Sequence, residues 1–229
     1  MKTAAKWIFV VCVPVLLITA GIGIVASGLP LWPGQWGAER YGIRDTLTYN
    51  RLCLEQPEIK GIYSGLVRYF WNGDEYIVLK VVQDGQTINV FTSEETIHFK
   101  DVKGLLRLDY GLCFGTLAYI ITFICVWTLR LKDRRGLASA MIWGGGLTVF
   151  LMLAMVVLNL FNGFDELWYR FHLLFFSNEF WSAEGYMLLL FTEQFFFDAA
   201  VFCVCLMIAG ALVFGGVGWR MLKQAEILD

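Results

Sequence analysis

The chain holds two histidines, His98 in TSEETIHFKDVKG and His172 in YRFHLLFFSNEFW, each lying just outside a long apolar run. Imidazole is the side chain that takes up and returns a proton near neutral pH. Two of them beside apolar runs therefore point to acid/base chemistry at the level of a lipid ester. Helical spacing puts Glu94 four residues before His98 and Asp101 three after it, on one face. A carboxylate bonded to one ring nitrogen fixes the tautomer and raises the basicity of the other, which prepares a general base. The same pattern, with Lys100 and Lys103, also suits a solvated surface helix. His172 has Trp168, Tyr169, Phe175 and Phe176 at helical spacing, with Phe180, Trp181 and Tyr186 beyond. That density suits an aromatic belt and a short amphipathic helix in the headgroup plane.

Other chemistries lack their residues. A catalytic zinc takes three protein ligands plus an open position, and the sequence has two histidines and no HExxH. No GxSxG marks a serine nucleophile. Of six cysteines, Cys12, Cys113, Cys125, Cys203 and Cys205 fall within apolar runs, Cys53 stands alone in a polar stretch, and no CxxC occurs. A four-helix disulfide oxidoreductase is therefore poorly supported, and a claudin-like protein would need a second loop cysteine. A net charge of −2 gives no sign of nucleic-acid binding.

The elements that must position the histidines are membrane spans. The chain is 58% hydrophobic and 16% aromatic, and a helix needs about 20 apolar residues to cross the hydrocarbon. Four stretches meet that length: Trp7 to Leu29, Tyr110 to Leu131, Leu137 to Phe161 and Phe195 to Trp219. Lys2 and Lys6 precede the first, Arg130, Lys132, Arg134 and Arg135 join the second to the third, and Arg220 and Lys223 follow the fourth. By the positive-inside rule both termini are cytoplasmic, and the two histidine segments lie on the other side. The first run is longer than a signal-peptide core and ends without a small-x-small cleavage site, so it reads as a retained helix.

The expected fold is a membrane α protein, a single domain over 1–229 built as a four-helix bundle with a small extracytoplasmic α+β cap. Residues 30–109 form the cap, and residues 162–194 form an interfacial aromatic loop. Pro30, Pro33, Gly34 and Gly37 predict an irregular exit from the first span, and Pro57 to Trp71 a short helix. EYIVLKVV and TINVF flank an Asp84-Gly85 turn signal and predict a β-hairpin. Thr92 and Glu95 fit a capping box that opens a helix carrying His98 toward the second span. Gly111 and Gly115, and Gly144, Gly145 and Gly146, predict close helix contact or a kink.

Around the histidines the residues match a known pattern. FHLLFFSNEFW, followed by LLLFTEQFFFDAA, resembles the FH-x-x-FF-x-N-x-x-W and LF-P-E-x-FF signature of the lipoprotein intramolecular transacylase family. EETIHFKDVKGLL is similar to that family's E-x-x-H-x-x-DV segment. Thr192 departs from the pattern, standing where the family has proline, so the backbone entering the fourth span is expected to be less constrained. The resemblance implies a bacterial cytoplasmic-membrane enzyme whose substrate is a diacylglyceryl lipoprotein. It would move the acyl chain from the glyceryl sn-2 oxygen to the α-amino group of the N-terminal cysteine, with no cofactor or metal.

An α-amino group has a pKa near 8, so some base must take its proton before it attacks the ester. His98, oriented by Glu94 or Asp101, is the expected base, and His172 the group that polarises the carbonyl or protonates the leaving oxygen; the roles could be exchanged. Arg170, Asn178, Trp181 and Glu193 are the expected supporting residues, with Arg170 reading first as an interfacial anchor. Asp198, at the start of a span, needs a partner or water. Another membrane acyltransferase or hydrolase, and a non-enzymatic four-span scaffold or receptor, are the alternatives.

Overall fold

A computed structural model of the protein describes residues 2–27, 56–83 and 85–227. The expected irregular exit at residues 30–37, the lone Cys53 and the Asp84 half of the hairpin turn lie outside them. Among the described residues four helices are long and apolar enough to cross a membrane. They are α1 (Lys2–Ala26), α3 (Ser93–Cys125, ending in a π-helical turn at Val126–Arg130), α4 (Arg134–Asn162) and α7 (Glu193–Ile227). Between them come α2 (Gln56–Trp71), β1 (Lys80–Gln83), β2 (Gln86–Asn89), α5 (Phe164–Phe175), a 3-10 turn at Phe180–Ser182 and α6 (Tyr186–Leu190).

The chain divides into two compact units. The first comprises Met1–Gly23, Asp109–Phe161 and Val201–Asp229. Phe9 and Val13 of α1 meet Ile120 and Phe123 of α3, Trp127, and Leu137, Ala140 and Met141 of α4 in one buried cluster, with Phe214 and Met221 of α7 against it. Large apolar side chains outside it, such as Phe114, Phe150, Leu160 and Leu212, are exposed, as befits helices whose solvent is hydrocarbon. Small residues set the helix spacing. A Cβ at Gly145 would stand 2.6 Å from the Ala211 carbonyl oxygen of α7, so α4 and α7 approach there backbone to backbone. Gly144 instead makes room for a side chain of α1, an added Cβ standing 2.8 Å from Val13 Cγ2. Gly111, Gly115 and Gly146 face open space, with nothing within 4 Å of an added Cβ. For these three the expectation of close contact is corrected: they sit on the outward side of their helices.

The second unit comprises Ile24–Leu108 and Asn162–Ala200 and contains both histidines. Its core draws Ile59, Ile62, Leu66 and Tyr69 from one stripe of α2, with Ile77, Val81, Val90, Phe91, Phe99, Met187 and Leu190. The hairpin forms as expected: β1 and β2 are antiparallel, with Lys80 opposite Asn89 and Gln83 opposite Gln86, and Gly85 takes a positive φ of 76°. The strands' period of two buries Val81 and exposes Val82. Thr92 and Glu95 make the capping box: Thr92 N donates to Glu95 Oε2 at 2.8 Å, and Glu95 N to Thr92 Oγ1 at 3.2 Å. From that cap α3 continues to Cys125, so the helix that carries His98 also supplies most of the predicted second span. Its 33 residues extend about 50 Å at 1.5 Å each, more than the hydrocarbon needs, and the turns carrying His98 precede the apolar run.

Candidate active site

Both histidines are buried, His98 at 7% exposure and His172 at 5%, and their ring centroids are 6.1 Å apart. They come from segments separated by more than 70 residues. His98 lies in the second turn of α3, held by the Thr92–Glu95 cap. His172 lies in the last turn of α5, an amphipathic helix that also exposes Phe171, Leu174 and Phe175. Phe176 packs beside both rings, 4.8 Å from His98 and 5.4 Å from His172. Trp181 lies 4.6 Å from His172 at an interplanar angle of 31°, and Trp168 4.6 Å from it edge-on. The pair therefore stands in an aromatic wall.

The tautomer of His172 follows from its partner. Its Nδ1 is 2.8 Å from the Trp168 carbonyl oxygen. A carbonyl only accepts, so Nδ1 carries the hydrogen and, in the neutral ring, Nε2 is left with a free lone pair. His98 Nδ1 is buried and has no hydrogen-bond partner among the described residues. Burial pushes the pKa of His98 down to about 4, helped by His172 and opposed by Asp101. Burial also lowers that of His172, opposed by the bond to the Trp168 carbonyl. Burial thus disfavours the charged form of both rings, one of which has a defined basic nitrogen and the other an uncommitted one. Two neutral imidazoles so arranged can accept one proton and donate another to atoms placed between them.

The expected supporting residues divide. Asp101 lies near enough to His98 to act on its charge, but its Oδ2 accepts from Asn178 Nδ2 at 2.9 Å. Asn178 Oδ1 in turn accepts from Phe180 N at 3.1 Å, which starts the turn presenting Trp181. The Asp101–Asn178 bond thus joins the two histidine segments. Glu94 does not take part: it is exposed in the first turn of α3, where helix N-terminal N–H groups favour a carboxylate. The buried acid beside it is Glu95, at 0% exposure, the residue that closes the capping box. Arg170 is exposed and pairs with Glu166, 2.6 Å away and one turn earlier. Glu193 is exposed at the start of α7 beside the Asp165 carboxyl. Asp198 accepts from Gln194 Nε2 at 2.8 Å, which supplies the partner it needed. Thr192, in place of the expected proline, still precedes the first residue of α7, and Phe195 N donates to its carbonyl at 3.0 Å. A recess of about 460 Å³ in the same unit, lined by Tyr76, Val78, Phe91, Thr96 and Ile97 among others, includes neither imidazole.

Known proteins share this fold. Residues 7–196 match the family model described as lipoprotein intramolecular transacylase Lit. The solved structure of the membrane-integral lipoprotein intramolecular transacylase Lit from Bacillus cereus superposes with a TM-score of 0.75 at 19% identity, covering 99% of this chain and 98% of that one. A variant of the same Bacillus cereus protein, with one histidine replaced by arginine, gives 0.71 at 17% identity over 100% and 95% of the two chains. A search of curated proteins gives no match. The structures share the fold, and the family model spans both histidine segments and three of the four spanning helices; on that ground the chain belongs to the lipoprotein intramolecular transacylase family, enzymes integral to the membrane.

Proposed function

We propose that the enzyme transfers the acyl chain of a diacylglyceryl lipoprotein from the glyceryl sn-2 oxygen to the α-amino group of the lipoprotein's own N-terminal cysteine, and that His98 and His172 move the protons. The observation that carries this reading is the 6.1 Å approach of two buried imidazoles from separate segments. The α-ammonium first gives up a proton. The free amine attacks the sn-2 carbonyl carbon, a C–N bond forms, the C–O bond breaks and the glyceryl oxygen takes a proton. Ammonium and ester become amide and alcohol, with one proton released to solvent. His172, with its Nδ1 hydrogen bound to the Trp168 carbonyl, offers Nε2 as the base that takes the attacking amine's proton and returns it to the departing glyceryl oxygen, while the neutral His98 ring polarises the ester carbonyl through its N–H. The tautomer thus favours exchanging the two roles expected from sequence. Because amine and ester belong to one substrate, holding them together removes roughly 7–11 kcal/mol of barrier, and few protein groups are required.

The distribution of lysine and arginine supports cytoplasmic termini and a reaction centre on the opposite side of the cytoplasmic membrane, where the ester of a lipoprotein resides. The test is a purified enzyme incubated with a diacylglyceryl lipopeptide and no other lipid donor. The product is expected to keep the substrate's mass while its α-amino group becomes acylated and its glyceryl hydroxyl free. A mass change by loss of a fatty acid, or gain of one from detergent-borne phospholipid, would overturn the intramolecular reading.

A further inference from the structure

We propose that Glu95 is a positioning residue for the histidine pair: together with Asp101 it forms a two-point clasp that holds the His98 turn of α3 against the segment carrying His172. This rests on the dyad reading above. A capping-box glutamate needs only the N–H of its own cap residue, a bond any half-exposed side chain can make. Glu95 does more. It is wholly buried, its Oε2 takes the cap hydrogen bond from Thr92 N at 2.8 Å, and its Oε1 takes a second from Met187 N at 2.6 Å, 92 residues away. A buried carboxylate is costly unless its oxygens are bonded, and here both are.

The chain opposite has been shaped to admit it. Gly185 lies so close that an added Cβ would sit within 2.5 Å of all three atoms of the Glu95 carboxylate. Its backbone is fully extended, which any residue could adopt, so the glycine is required by space alone. Glu95 and Asp101 stand three residues before and three after His98, within a 120° arc of the helix. One reaches Met187 and the other Asn178, and Trp181, packed on His172, lies between those two positions. The E-x-x-H-x-x-D spacing thereby acquires a physical meaning: a clasp on either side of the ring, both closing on the same neighbouring segment.

The chain's two histidines give two imidazole signals in NMR, which makes the test direct. Glu95→Gln, keeping one acceptor, and Gly185→Ala, crowding the carboxylate, are expected to shift the resonances of both His98 and His172. They should lower kcat by about tenfold or more, approaching the hundredfold cost of a 1 Å misplacement, with KM within about twofold. Glu95→Ala should match or exceed them, and adding Gly185→Ala to it should cost little more, because both act through one carboxylate. Glu95→Gln carries the test if Glu95→Ala does not fold. Resonance changes confined to His98, or losses of kcat that multiply in the double variant, would overturn the clasp. The resonances are read without substrate, so they judge the clasp even where histidine variants refute the transacylation chemistry.

Discussion

Burial disfavours the charged form of both imidazoles, and the consequence is a pH dependence. A histidine whose folded pKa lies below its ordinary value stabilises the fold least when the unfolded chain can take a proton that the folded one cannot. For His98, with an ordinary value of 6.5 lowered to about 4, the contribution is intact above pH 6.5 and is lost as the pH falls from 6.5 toward 4. His172 shifts in the same direction. Thermal unfolding in detergent is therefore expected to show Tm falling over that interval, and His98→Phe, which keeps an aromatic ring beside Phe176, to flatten part of the slope. Identical slopes in the two proteins would refute the assignment. Only part of this was legible in the sequence. The rarity of histidine picked out the two rings. Which nitrogen of His172 carries hydrogen depends on a backbone carbonyl, and Glu94 and Glu95 differ only in which way α3 turns toward the core.

At the scale of elements, α3 has two tasks, and its ends show how each is met. Its apolar half packs Ile120 and Phe123 against α1. Its first turn is fixed by a cap whose hydroxyl and carboxylate have separable roles. Thr92→Val removes the acceptor of Glu95 N but leaves both bonds to the Glu95 carboxylate. It should cost about 1 kcal/mol of stability, the usual value of an N-cap hydroxyl, measured by denaturant or thermal unfolding, and reduce turnover far less than Glu95→Ala. Unchanged stability would mean that the hydroxyl does not support the helix start. The cap, α2, α5 and the hairpin were all predictable, because each rests on local periodicity or turn chemistry. The bonds that bring α3 to the second histidine segment span 77 and 92 residues, and no local pattern encodes them.

For the molecule as a whole, hydropathy gave the four spans because the hydrocarbon imposes a length and forbids unpaired backbone. The packing between them depended on which glycines face a neighbour, and spacing alone did not separate Gly145 from Gly111 or Gly115. The proposed orientation, with cytoplasmic termini, has a direct test: a reporter that fluoresces only in the cytoplasm, fused behind Asp229, should light up, and a dark fusion at normal expression would reverse the assignment of sides. The central claim is that two rings serve one reacting centre, and groups that act as a unit are not additive. The decisive measurement is a kinetic cycle of His98→Ala, His172→Ala and the double variant on a diacylglyceryl lipopeptide, with folding checked by Tm. Each single variant should lose roughly 10²–10⁴-fold in kcat, the usual contribution of general acid–base catalysis, and the pair should lose little more than the worse single. Wild-type turnover in either single variant, or losses that multiply in the double, would contradict the account.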